Sequence, residues 1–133
     1  MATVLIVEDE SMIVKVFSKI LTKAGGFMVR HTENVEEVIQ IAQSGEADLI
    51  IMDVSLKNSW YEGQIINGLK ITQMLKADSK AAKVPVILVT ASCYAGEHEN
   101  FLKISGADGY IAKPVVDYQD FLDQIRAMIL NRG

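Results

Sequence analysis

Short apolar runs rich in β-branched residues recur at positions 3–7, 27–31, 49–52, 86–89 and 109–112, and each is too short to be a helix. They predict strands. The stretches between them carry helical period: Ile13, Val16, Phe17, Ile20 and Leu21 fall on one face, as do Val38, Ile41 and Ala42, and later Tyr118, Phe121, Leu122, Ile125 and Ile129. Asn34 with Glu37 and Asp117 with Asp120 have the spacing of helix amino-terminal caps. Three of the runs, 4–7, 49–52 and 86–89, are apolar throughout, which marks strands covered on both faces. Strict strand-helix alternation then predicts an α/β domain with a parallel sheet and right-handed crossovers.

At 133 residues the chain predicts one domain, 1–133, because single cores rarely split below about 250 residues. With 17 acids against 13 bases and no block of like charge, a basic surface for nucleic acid is not expected. The single cysteine, Cys93, has no partner for an internal disulfide and no neighbour at metal-ligand spacing. The amino terminus lacks a basic region and turns acidic after one short apolar run, and no stretch approaches the roughly 20 apolar residues of a membrane helix. A cytoplasmic protein with no membrane partner is expected.

In an open parallel sheet, ligands bind beyond the carboxyl ends of the strands. Glu8, Asp9 and Glu10 follow the first run, Asp53 the third, Thr90 the fourth, and Lys113 then Pro114 the fifth. Any one of these acids alone reads as a cap or a solvated loop residue. Together they gather carboxylates, a hydroxyl and an ammonium on one rim. Carboxylates crowded in a partly desolvated cleft repel, so one stays protonated or a cation joins them. Oxygen ligands alone select a hard ion, and Mg²⁺ suits a site that also receives phosphate oxygens. Asp53 can then serve as a passive metal ligand or as the nucleophile of an aspartyl phosphate, with Lys113 and Thr90 contacting phosphoryl oxygens.

Val-Glu-Asp-Glu at 7–10, Ile-Met-Asp at 51–53, Val-Thr-Ala at 89–91 and Gly-Ala-Asp-Gly-Tyr-Ile-Ala-Lys-Pro at 106–114 resemble the receiver domain of two-component response regulators, in order and spacing, over the whole chain. The resemblance implies a flavodoxin-like (βα)5 fold, a parallel five-stranded sheet in order 2-1-3-4-5 with helices on both faces. It implies that Asp53 accepts a phosphoryl group from a histidine kinase or histidine phosphotransfer protein with Mg²⁺ as cofactor. Asp9 then matches the direct metal ligand, Glu8 the second acid, and the main-chain carbonyl of Ser55 a further ligand. Thr90 and Tyr110 match the switch pair, Lys113 the phosphate-binding lysine, and Pro114 its cis proline. One segment departs from the family: the usual Met-Pro after the acceptor is replaced by Leu56-Lys57, and Asn67-Gly68 stands displaced where Asp-Gly would open the third helix.

Two other strand-end chemistries fit less well. A haloacid-dehalogenase-type phosphatase needs an acid two residues after its nucleophile, where this chain has Ser55; a flavodoxin needs a phosphate loop after the first strand, where Glu8, Asp9 and Glu10 would repel it. A non-phosphorylated receiver-like module would lack the acceptor, the acid pair or the lysine, all retained here. The predicted last helix ends near Asn131, so no output domain is expected, and signalling would pass to a downstream target protein. Within the 54–67 connection, Trp60 and Tyr61 either pack back or form a docking surface. His31 and His98 read as structural or solvated, and Cys93 as a small loop residue.

Overall fold

A computed structural model describes residues 2–57, 59–91, 96–113, 115 and 117–131, with the His98 side chain excepted. The readings of Cys93, of the His98 side chain and of a cis bond at Pro114 lie outside the described residues. The chain runs β1 (Thr3–Val7), α1 (Ser11–Lys19) continued by a π-helical turn (Ile20–Ala24), β2 (Met28–Thr32), α2 (Val35–Ser44) and β3 (Leu49–Asp53). There follow β4 (Trp60–Tyr61), β5 (Gln64–Ile65), α3 (Gly68–Ala77), a 3-10 turn (Ala81–Lys83), β6 (Val86–Thr90), α4 (Glu97–Ser105), β7 (Gly109–Ala112) and α5 (Tyr118–Asn131). The main sheet is parallel in order β2-β1-β3-β6-β7. Setting the small β4–β5 pair aside, this is the expected order 2-1-3-4-5.

Period-two alternation divides each central strand between two cores. Leu5, Val7, Ile50, Met52, Val86 and Leu88 pack with α2 and α3, whereas Val4, Ile6, Leu49, Ile51, Ile87 and Val89 pack with α1 and α5. Both faces are therefore sealed, and each fully buried Val, Leu or Ile adds about 1.5–3 kcal/mol relative to exposure. The helical stripes explain the partners: Phe17, Ile20 and Leu21 are buried from the first, Val38, Ile41 and Ala42 from the second, and Phe121, Leu122 and Ile125 from the last. Val16 and Tyr118, at the stripe edges, are exposed instead. Asn34 Oδ1 accepts from the Glu37 N–H at 3.0 Å and Asp117 Oδ1 from the Asp120 N–H at 2.9 Å, as the cap spacing predicts. The second strand runs one residue later than its apolar pattern suggests, because its amides follow the edge of β1 in the register Thr3 to Met28.

The long connection after β3 is not structureless. Its antiparallel hairpin pairs Trp60 with Ile65 and Tyr61 with Gln64, and the two turn residues, Glu62 at φ 50° and Gly63 at φ 80°, are left-handed as a tight hairpin turn requires. The aromatic pair divides: Tyr61 packs against the α2–α3 core, while Trp60 is exposed.

Candidate functional site

Strand register sets the rim. Val7 lies level with Met52, Asp53 with Val89 and Thr90 with Ala112, so Glu8, Asp53, Thr90 and Lys113 leave the sheet at nearly the same height. The neighbouring chain ends are stitched together, with the Val54 N–H donating to Val89 O at 3.0 Å and the Lys113 N–H to Thr90 O at 2.9 Å. Glu8, Asp53 and Thr90 are all buried at these ends. Behind Asp53 sits Gly68, the first residue of α3, where an added Cβ would fall 2.0 Å from the Asp53 carbonyl oxygen. Only glycine lets α3 start this close to the strand end.

Lys113 Nζ reaches Glu8 Oε1 at 3.0 Å and Asp53 Oδ1 at 3.1 Å, joining two buried carboxylates through one ammonium. Glu8 Oε2 accepts from the amides of Asp9 and Glu10, at 3.1 and 3.2 Å, and Asp53 Oδ1 accepts from the Ser55 N–H at 3.2 Å. Asp9 Oδ2 accepts from the Lys57 N–H at 2.8 Å. Burial, then a hydrogen bond shared with Asp53, push Glu8 up to about 7 against the downward pull of Lys113. For Lys113, burial lowers the ammonium, but the Glu8 hydrogen bond and the charge of Asp53 outweigh it and hold it above its ordinary value.

Glu8, Asp9 and Asp53 each offer an oxygen, and the three lie within 4.8 Å of one another. Carboxylate oxygens in such a group, short of positive charge, fit a hard divalent cation, and Mg²⁺ is bound in this manner. A cleft of about 800 Å³ opens from the cluster, with Asp9, Asp53, Ser55 and Lys113 at its polar end and Met12 and Val16 along its apolar wall.

Of the acids anticipated at the rim, Glu8, Asp9 and Asp53 are brought together, with Lys113 among them and Ser55 at the cleft, while Glu10 is exposed and stays out of the cluster. Thr90 lies at the end of β6. Tyr110 pairs with Leu88 across β6 and β7, so it shares the sheet face of Leu88 and Thr90 and lies one strand across and two residues back from Thr90. Two contributions escape the sequence. His31 donates from Nε2 to the Glu8 carbonyl at 2.7 Å, a contact visible only once β2 lies beside β1. The Lys57 amide is a main-chain group and leaves no side-chain signal.

The model of the response regulator receiver domain matches residues 4–126. The chain belongs to this receiver family. The polar-differentiation response regulator DivK of Brucella anthropi is 32% identical over 96% of this chain and 95% of its own length. Among solved structures, the receiver domain of the sensor histidine kinase PA1611 from Pseudomonas aeruginosa, which holds a magnesium ion in its active-site cleft, superposes with a TM-score of 0.79 at 25% identity. Coverage there is 98% of both chains. The chemotaxis protein CheY4 of Vibrio cholerae gives a TM-score of 0.77 at 25% identity, covering 96% of this chain and 98% of its own. The strand order together with such CheY-like neighbours makes this the flavodoxin-like (βα)5 fold, and the protein a receiver of two-component signalling. Among the described residues no helix is long and apolar enough to cross a membrane.

Proposed function

We propose that this receiver domain takes a phosphoryl group from the phosphohistidine of a kinase or phosphotransfer protein onto Asp53, in a Mg²⁺-dependent reaction in the cytoplasm, and signals or relays by binding a target protein according to its phosphorylation state. The observation that carries this reading is the position of Asp53, buried at a strand end, within 3.1 Å of Lys113 and grouped with the oxygens of Glu8 and Asp9.

Glu8, Asp9, Asp53 and the Ser55 carbonyl would hold Mg²⁺, which when bound supplies positive charge against the repulsion of the carboxylates and of the incoming phosphoryl oxygens. An Asp53 carboxylate oxygen attacks phosphorus; as the O–P bond forms, the N–P bond of the donor breaks and its electron pair returns to the imidazole, which takes up a proton from solvent as needed. Burial of the Asp53 side chain limits water around the acceptor, and Gly68 and the Ser55 amide fix its position. Lys113 already lies against the Asp53 carboxylate, so its ammonium is in reach of oxygens added there. Thr90 donates its hydroxyl to a phosphoryl oxygen, and Tyr110, on the same sheet face, responds to the movement of Thr90. A partner senses the change only through the difference in its contacts with the two states, so a tenfold preference needs about 1.4 kcal/mol.

Incubation with acetyl phosphate and Mg²⁺, followed by intact-protein mass spectrometry, should add one phosphoryl group to the wild type and none to Asp53→Asn. Equal labelling of the variant overturns the assignment.

A further inference from the structure

The hydrogen bond from the Lys57 amide to Asp9 Oδ2, 2.8 Å across 48 residues of sequence, joins the long loop to the acidic cluster. Asp9 is half-buried, and its neighbours Glu8 and Asp53 share the ammonium of Lys113. With no cation bound, the Asp53 carboxylate, joined by Glu8 once that ionises, repels the Asp9 carboxylate toward water. A main-chain N–H opposes that by donating to one oxygen, and a carboxylate has lone pairs to spare on the other.

The donor itself is well anchored. Leu56, next to Lys57, is buried in the α2–α3 core, and Val54 before it is buried too. Farther along, Ser59 Oγ donates to Glu33 O at 3.0 Å, the Ile66 N–H donates to Ser59 O at 2.9 Å, and the Gly68 N–H closes onto Val54 O at 3.2 Å. The described residues on both sides of Lys57 are thereby held by contacts that do not involve Asp9, which sets the place of its amide. A proline at position 57, which the receiver resemblance leads one to expect near this point, has no N–H to give.

We infer that the Lys57 main-chain amide is a positioning group for the metal site: it holds Asp9 in the cluster with Glu8 and Asp53, and so makes the length and anchoring of the 54–67 loop a determinant of divalent-cation affinity. The inference rests on the reading of the cluster as a Mg²⁺ site. Groups that orient a metal ligand through a hydrogen bond commonly change affinity by ten- to a hundredfold, and a solvent-facing example belongs at the lower end, about tenfold.

The test is a Mg²⁺ titration by isothermal calorimetry of the 133-residue chain carrying Lys57→Pro against the same chain carrying Lys57→Ala. Both lack the lysine charge, and only the first lacks the amide proton. Mg²⁺ should bind Lys57→Pro about tenfold more weakly than Lys57→Ala, and equal affinities overturn the inference. Asp9→Ala separates the two levels of the argument: if it binds Mg²⁺ as the wild type does, the metal-site reading itself fails. If it loses binding while the Pro and Ala variants agree, only the role of Lys57 fails. Should Lys57→Pro not fold, amide hydrogen exchange of Lys57 decides on its own. Protection in the wild type that disappears in Asp9→Ala supports the bond, and an amide that exchanges freely in both overturns it.

Discussion

Acidic residues stand at both edges of the sheet, and the two edges use them in opposite ways. At the amino-terminal edge Asp48 Oδ2 accepts from the Thr3 N–H at 2.7 Å, and Asp108 Oδ2 accepts from the Val86 N–H at 2.8 Å while pairing with Lys76 at 2.8 Å. Each carboxylate there completes the hydrogen bonding of a strand start, so charge and partner are matched. At the carboxyl-terminal edge Glu8, Asp9 and Asp53 crowd together, and Lys113 bridges only two of them. The first arrangement holds the fold, and the second leaves three clustered acids facing a single ammonium, the feature on which the proposed cation site rests. Residue type alone does not separate these roles; what each carboxylate faces does.

The contrast is tested most severely by pH. In the metal-free folded protein Glu8 keeps its proton up to about pH 7, whereas the unfolded chain releases it near 4.5. Between those values the folded state binds the extra proton. Stability from this group is therefore full below the lower value and falls as pH rises through the upper one, by about 3 kcal/mol at roughly 1.4 kcal/mol per unit. Urea unfolding in chelator across that window should show this slope in the wild type and not in Glu8→Gln; parallel profiles would erase the distinction between the edges. A smaller loss is expected at the other edge, where Asp108→Ala strands the buried Val86 N–H and removes one acceptor from the Lys76 ammonium, which keeps the carbonyls of Ala82 and Val84. It should cost about 2 kcal/mol with little dependence on Mg²⁺. A cost below about 0.5 kcal/mol would mean that Asp108 is an ordinary surface acid. Smaller still is the effect of Asp53→Asn on global stability, within about 1 kcal/mol, since the lost Lys113 contact is offset by relief of repulsion. That variant should nonetheless lower the Glu8 pKa from about 7, because Asp53 is one of the groups raising it. Carbon-detected NMR titration of the Glu8 carboxyl reads this, and an unchanged midpoint would show that the two acids do not sense each other.

The placement of polar residues at the carboxyl-terminal edge was legible in the sequence because each of them follows an apolar run, and the end of a buried strand is where a polar side chain emerges. Glu8, Asp53, Thr90 and Lys113 are found that way. The structural edge was not, since Asp48 and Asp108 lie in connections and acquire meaning only when register brings a strand start against them. The β4–β5 hairpin was also hidden: its left-handed turn uses Glu62 where Asn or Asp would advertise it, and its strands are two residues long. Trp60 and Tyr61 carry the same apolar signal, yet one faces solvent and the other the core, because successive residues of a strand point to opposite faces. The helix caps and both faces of the central sheet follow from local pattern. The contributions of Lys57 and His31 depend on distant backbone contacts and cannot be read locally.

Asp53 is the proposed acceptor of the phosphoryl group. An aspartyl phosphate is an acyl phosphate, which borohydride reduces to the alcohol, so the modified residue becomes homoserine at its own position. Phosphorylation with a small-molecule donor and Mg²⁺, borohydride trapping and peptide mapping should place homoserine at position 53 alone. Homoserine at no position, or a label at Asp9 or on a histidine with position 53 unmodified, would contradict it.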